Sequence, residues 1–146
     1  MSNDYYNTGL NSLQRSEIGE TRFLYEATKL GWMVGKMPQG CIYDFVADTG
    51  KKLLRVQVKT RVMNSKGIIP LNFKPAKHHK YNHAIYTKDN IDAFAIYCPD
   101  LDQLAFILSE KIDWDAEGIS FRSNILNAPS IKRKRQWIFE DYLMSL

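Results

Sequence analysis

Apolar positions change period several times along the chain. Over residues 16–30, Phe23, Leu24, Ala27 and Leu30 recur at the spacing of one helix face, and Gly31 follows as a stop signal. Ser16 is the N-cap this pattern offers, although Gly19 at the third helical position denies it a capping box. Residues 32–34 form a short strand. Residues 42–47 and 53–59 form two more, joined into a hairpin by the turn-rich Asp48-Thr49-Gly50-Lys51-Lys52. Residues 68–73 read as an extended piece that Pro70 and Pro75 keep out of a sheet centre, and residues 76–86 read as a helix. Then come a continuous apolar strand at 93–97, a turn at Pro99-Asp100 and a strand at 103–108. Residues 109–118 read as an acidic loop or short helix. Ile138, Phe139, Tyr142, Leu143 and Leu146 give residues 135–146 a helical stripe. Helix, three strands, a basic insertion, two strands and a helix make an α/β arrangement, a mixed sheet flanked by helices.

At 146 residues, with 45% hydrophobic and 25% charged positions and no repeat or low-complexity linker, the chain reads as one folded domain over 1–146. No apolar run approaches the ~18 residues of a membrane span, so no membrane partner is expected. The N-terminus lacks a basic-then-apolar signal, and two cysteines, Cys41 and Cys98, are too few for a disulfide framework. The expected location is a reducing cytosol.

The net charge of +4 matters less than its placement. Between Thr49 and Lys88 there is no acid, while ten of the twenty Lys and Arg and all three His fall there. An acidic stretch over 89–117 follows, then the run Lys132-Arg133-Lys134-Arg135. One sign held over forty residues concentrates potential on one side and favours a polyanion. A solvated basic face without a ligand is the plainer reading. His79 and His83 share a helical spacing, but Cys41 and Cys98 lack the spacing of a zinc site, so phosphate contact suits the histidines better.

Strand alternation supplies the candidate chemistry. In residues 53–59, Leu54, Val56 and Val58 share one face, and Arg55, Gln57 and Lys59 the other. On the partner strand Asp44 lies between Ile42 and Val46, a costly place for a carboxylate without a cation. Folding the hairpin about Thr49-Gly50 brings Asp44 roughly opposite Arg55, with Gln57 and Lys59 near. Glu20 sits three, four and seven residues before Phe23, Leu24 and Ala27, on the stripe that faces the sheet, and Gly19 permits close approach. Two inward acids and a lysine fit a hard-cation site with oxygen ligands. They fit equally an Asp44–Arg55 ion pair, Glu20 at a helix end, and Lys59 as a strand-end solubiliser.

Gly19-Glu20, then Tyr43-Asp44-Phe45, then Arg55-Val56-Gln57-Val58-Lys59-Thr60 resemble the PD-(D/E)XK nuclease superfamily. With Asp92-Ala93-Phe94-Ala95-Ile96-Tyr97-Cys98, they resemble more narrowly the small bacterial branch that includes a group I intron-encoded homing endonuclease. The resemblance runs from about residue 17 to 108. It implies a restriction-endonuclease-like core, with the basic insertion after the catalytic hairpin. It implies Mg²⁺, for which Mn²⁺ or Ca²⁺ can substitute, on Asp44, Glu20, Gln57 and the Val58 carbonyl. Lys59 would orient or deprotonate the attacking water. Tyr43 replaces the usual Pro, and Gln57 the usual acid, which removes a charge from the metal shell. The implied activity is sequence-specific cutting of double-stranded DNA. The alternatives are a Holliday-junction-resolvase-like nuclease and an inactive DNA-binding module. The candidate DNA contacts are Arg61, Lys66, Lys74, Lys77, His78, His79, Lys80, Lys132, Arg133, Lys134 and Arg135. A domain about 30 Å across spans less than the ~34 Å turn of B-DNA, and one site cuts one strand. A homodimer or a dimer of dimers is therefore expected.

Overall fold

The computed structural model describes residues 9–73, 86–124 and 137–144. Helix α1 spans Ser12–Lys29, four residues longer at its start than the apolar pattern predicts. Its cap is Asn11, not Ser16: the Asn11 side chain accepts from the Gln14 N–H and Gln14 Oε1 accepts from the Asn11 N–H, each at 2.9 Å. The first turn escapes an apolar pattern because its one large apolar residue, Leu13, faces solvent. The far end closes as expected, with Gly31 at φ +81°.

A five-stranded sheet runs in the order β1-β2-β3-β5-β6, where β1 is Met33–Lys36, β2 Phe45–Asp48, β3 Leu53–Thr60, β5 Ala93–Cys98 and β6 Gln103–Leu108. Neighbours are antiparallel except β3 and β5, which run parallel. A second sheet, β4-β7-β8, joins β4 (Ile68–Asn72), β7 (Gly118–Arg122) and β8 (Trp137–Ile138). Pro70 lies in β4, an edge strand, as its missing N–H requires.

Alternation along the strands builds two cores. Leu54, Val56, Val58, Ala93, Ala95 and Tyr97 face α1, where Phe23 meets Phe45 edge-to-face with ring centroids 5.3 Å apart. Phe94, Ile96, Cys98 and Ile107 face the second sheet, against Ile69, Leu71, Phe73, Ile119 and Phe121. The sheet is therefore covered by a helix on one face and by a second sheet on the other.

One strand was not foreseen in the sequence and one helix is corrected. Residues 109–118 hold the short 3₁₀ turn Ser109–Lys111, but Gly118 opens β7, whose alternating Ile119 and Phe121 are buried. The helix expected over 135–146 is not present in its described part. Trp137 and Ile138 pair with β7, Phe139–Tyr142 form a 3₁₀ turn, and Leu143 bridges to Ala105 at the edge of β6. The helix-like spacing of Ile138, Phe139, Tyr142 and Leu143 instead serves packing of Trp137, Phe139 and Tyr142 around the Phe121 ring. The helix predicted over 76–86 lies outside the described residues, apart from Tyr86 at its end.

At Gly19, α1 lies close against Thr60 and Tyr97 of the sheet. A Cβ there would fall deep inside contact distance of Thr60 Oγ1. Gly19→Ala is expected to cost about 1–3 kcal/mol in chemical denaturation, and Gly19→Ala with Thr60→Ala should recover a measurable part of it. Equal losses in the single and double variants would show that the contact is not with Thr60.

Candidate active site

The site forms where β2 parts from β3. Their ladder ends at the Phe45–Val56 pair, and residues 42–44 form a bend rather than the expected start of the strand. Asp44 is fixed there by three bonds of 2.9 Å. Its N–H donates to the Val56 carbonyl, its carbonyl accepts from the Met37 N–H at the end of β1, and its Oδ2 accepts from the Val58 N–H. The carboxylate thus takes the ladder position that β2 has vacated. Val58 directs its carbonyl to the same edge as its N–H, because both groups of a strand residue point one way.

The expected Asp44–Arg55 apposition is not found. Arg55 pairs with Val46 across the ladder. Its Nε and Nη2 bind Asp92 Oδ2 and Oδ1 at 2.9 and 3.1 Å, its N–H also reaches Asp92, and Nη1 donates to the Asp89 carbonyl. The register of the hairpin already carries Asp44 two residues past Arg55, and its side chain reaches on to the Val58 N–H. Nor is Glu20 at a helix end: it lies in the middle of α1. Both features that would have made these acids purely structural are absent.

Asp44 links the other two: its charge acts on Glu20, and the Lys59 charge acts on it. Burial, then the Asp44 carboxylate, raises the Glu20 pKa, and Lys36 opposes them. Burial also raises Asp44, outweighing the Val58 N–H and the Lys59 and Lys36 ammoniums that lower it. Burial, with Arg61 beside it, lowers Lys59 to about 8 against the pull of Asp44. All three shifts disfavour the charged form. Gln57 is buried in β3, on the face it shares with Lys59.

Two further side chains were not foreseen from the sequence. Tyr86 accepts a 2.9 Å hydrogen bond from Lys59 Nζ and packs edge-to-face on Phe94. Lys36 ends β1, pairs across the ladder with Phe45, and lines with Glu20 a recess of about 370 Å³. Nothing local marks Tyr86. Lys36 could have been found by extending the 32–34 strand beside the hairpin. Of the expected DNA contacts, Arg61 follows β3 and donates from Nη1 to the Thr60 carbonyl, and Lys66 is exposed in a turn. Lys74, Lys77, His78, His79, Lys80, Lys132, Arg133, Lys134 and Arg135 lie outside the described residues.

Asp44, Glu20, the Val58 carbonyl and the Gln57 amide oxygen are hard donors. Among the described residues no three of His, Cys, Asp and Glu gather into a cage. Two carboxylates with neutral oxygens fit Mg²⁺, which keeps several waters, better than zinc or a fully caged calcium.

A family model described as PD-(D/E)XK endonuclease matches residues 10–140. Among solved structures, the bacterial homing endonuclease I-Ssp6803I aligns with a TM-score of 0.70 over 92% of this chain and 89% of its own, at 19% identity. At that identity the likeness is one of fold. No curated protein sequence matches the chain.

Burial of Lys59 has a stability signature. Its folded pKa of about 8 lies below the ordinary 10.5 of the unfolded chain. The unfolded state therefore binds more protons between those values, and stability rises with pH across that window. Below it the cost of the buried ammonium is complete. Lys59→Met in metal-free buffer is expected to be more stable than wild type by about 1–3 kcal/mol near pH 7, with the difference shrinking towards pH 10. Urea denaturation at both pH values measures it, and a pH-independent difference would contradict the assignment.

Proposed function

As the chain belongs to the PD-(D/E)XK endonuclease family, we propose that it hydrolyses phosphodiester bonds in double-stranded DNA at the gap between β2 and β3, using Mg²⁺. One observation carries this reading: the Asp44 carboxylate is anchored on the Val58 N–H, with Glu20 on the helix side and Lys59 on the other. Asp44 and Glu20 would hold the ion, with the Val58 carbonyl and Gln57 as neutral donors. When bound, the ion supplies charge neutralisation and Lewis-acid activation of the phosphate.

Lys59 does the proton work. A pKa of about 8 lets Lys59 exchange a proton near neutral pH, where general bases work best. It takes the proton of the attacking water or, when charged, neutralises the phosphate. Tyr86 holds its Nζ in place through the phenolic oxygen. Gln57 leaves the site with one negative charge fewer than an acid there would give, so Glu20 carries more of the burden.

The fold shared with a bacterial homing endonuclease, together with the Gly-Glu, Tyr-Asp and Gln-Val-Lys-Thr series, supports a sequence-specific enzyme of the intron-encoded homing type. One gap cuts one strand, so a duplex break takes at least two copies, as a homodimer or a dimer of dimers on a pseudo-palindrome.

Incubation with Mg²⁺ and a random plasmid library, followed by sequencing of the cut ends, is expected to return a recurrent target. Asp44→Asn and Lys59→Ala should lower cutting by about a hundredfold or more while DNA binding persists. Tyr86→Phe keeps the ring on Phe94 and loses only the hydroxyl, so cutting should fall about tenfold with DNA affinity unchanged. A wild-type protein that binds DNA and cuts none of it would make the chain a non-catalytic DNA-binding member of the family.

A further inference from the structure

The cations expected to meet DNA lie in the basic insertion and the 132–135 run. The structure places another on the opposite flank of Asp44. Lys36 is the last residue of β1 and the cross-strand partner of Phe45, the residue that follows Asp44. Met37, next in sequence, donates its N–H to the Asp44 carbonyl. This pins the end of β1 beside the gap. The Lys36 side chain is exposed and shares its recess with Glu17 and Glu20 of α1 and with Phe45. Its charge acts on both Asp44 and Glu20. Among the described residues, no carboxylate lies within ion-pair distance of it.

We propose that Lys36 contacts the DNA backbone on the α1 side of the gap, as the counterpart of Lys59 and Arg61 on the other side. The inference rests on the nuclease reading and extends it. A phosphodiester chain that presents one phosphate to Asp44 and Lys59 must continue past the gap in both directions. Its phosphates recur about every 3.4 Å of helix axis along each strand, so a lysine beside the gap has phosphates within reach. On one side the strand meets Lys59 and Arg61. On the other the surface is shaped by Glu17 and Glu20, which would repel it. Lys36 is placed to offset those acids and to leave the strand a cation to pair with. A lysine on an edge strand can also serve only to deter edge-to-edge association. That role would leave DNA binding untouched, so the two roles separate by measurement.

The test is the salt dependence of binding to a non-specific duplex, in metal-free buffer with chelator so that no cutting occurs. Lys36→Met keeps the aliphatic stem against the strand, Lys36→Arg keeps the charge, and Lys29→Ala at the far end of α1 is the control. One phosphate contact contributes about 0.9 to the log–log slope. Lys36→Met is expected to lower the wild-type slope by about that amount and to weaken binding to every sequence alike. Lys36→Arg and Lys29→Ala should keep the wild-type slope. A steep wild-type slope that Lys36→Met leaves unchanged overturns the role of Lys36 alone. A flat wild-type slope overturns the DNA reading itself, and the role of Lys36 with it. Thermal melts of each variant confirm that the fold is retained; should Lys36→Met fail to fold, the charge reversal Lys36→Glu gives the same readout with a larger loss.

Discussion

The hydrogen bond from the Val58 N–H to Asp44 Oδ2 is the constraint from which the site follows. A five-stranded sheet whose second strand parts from its third leaves a backbone donor without a ladder partner. An unmet buried donor costs about 1–3 kcal/mol. The Asp44 side chain meets it, so one bond both ends the ladder and fixes the carboxylate at the opening. The two further bonds of the Asp44 backbone, to Val56 and from Met37, tie that position to β3 and to the end of β1. Ionisation is what the arrangement strains: burial raises the Asp44 pKa even though a backbone N–H and two lysines favour the anion.

The remainder of the fold holds the other groups against this point. Absence of a side chain at Gly19 lets α1 settle on Thr60 and Tyr97, and the next residue, Glu20, is thereby brought to the helix side of the gap. The Arg55–Asp92 pair fastens the middle of β3 to the start of β5 and to the 89–92 turn, in two parallel charge-assisted bonds. Phe94 of β5 supports the Tyr86 ring, whose hydroxyl meets Lys59. Each functional group is thus steadied by a neighbour that belongs to one of the two cores.

The helix–hairpin core was readable in the sequence because its information is local. Alternation in 53–59, the Asp48–Lys52 turn, and an acid beside a glycine on an apolar stripe are all short-range signals, and they brought Glu20, Asp44, Gln57 and Lys59 into one argument. Register was not readable: alternation does not fix how the turn over 49–52 closes, and that turn sets Val46 rather than Asp44 opposite Arg55. The C-terminal segment misled for a related reason. Aromatic and β-branched residues at 137–143 carry a helical spacing, yet they are held by pairing with β7 and by rings around Phe121, contacts set by a strand that the acidic stretch before it concealed. Lys36 and Tyr86 were missed because each acts on a residue distant in sequence, and no local period reports such a meeting.

Charge balance explains why such a site tolerates a glutamine. The acids whose charges act around the gap are Glu17, Glu20 and Asp44, and the bases are Lys36, Lys59 and Arg61. Formally they cancel. A carboxylate at position 57 would tip the cluster negative and draw a cation more strongly in the absence of DNA. In the nuclease reading proposed above, Gln57 would weaken the pull on a divalent ion alone, and ion and phosphate would each help to hold the other. The raised Glu20 and Asp44 and the lowered Lys59 are the same fact seen from the protein: burial under-stabilises the charged form of each of these three. Stability is spent on this poise, as is usual where function requires groups that burial disfavours. Asp44 cannot relax out of it without surrendering the Val58 N–H, so the strain is held in place by the sheet itself.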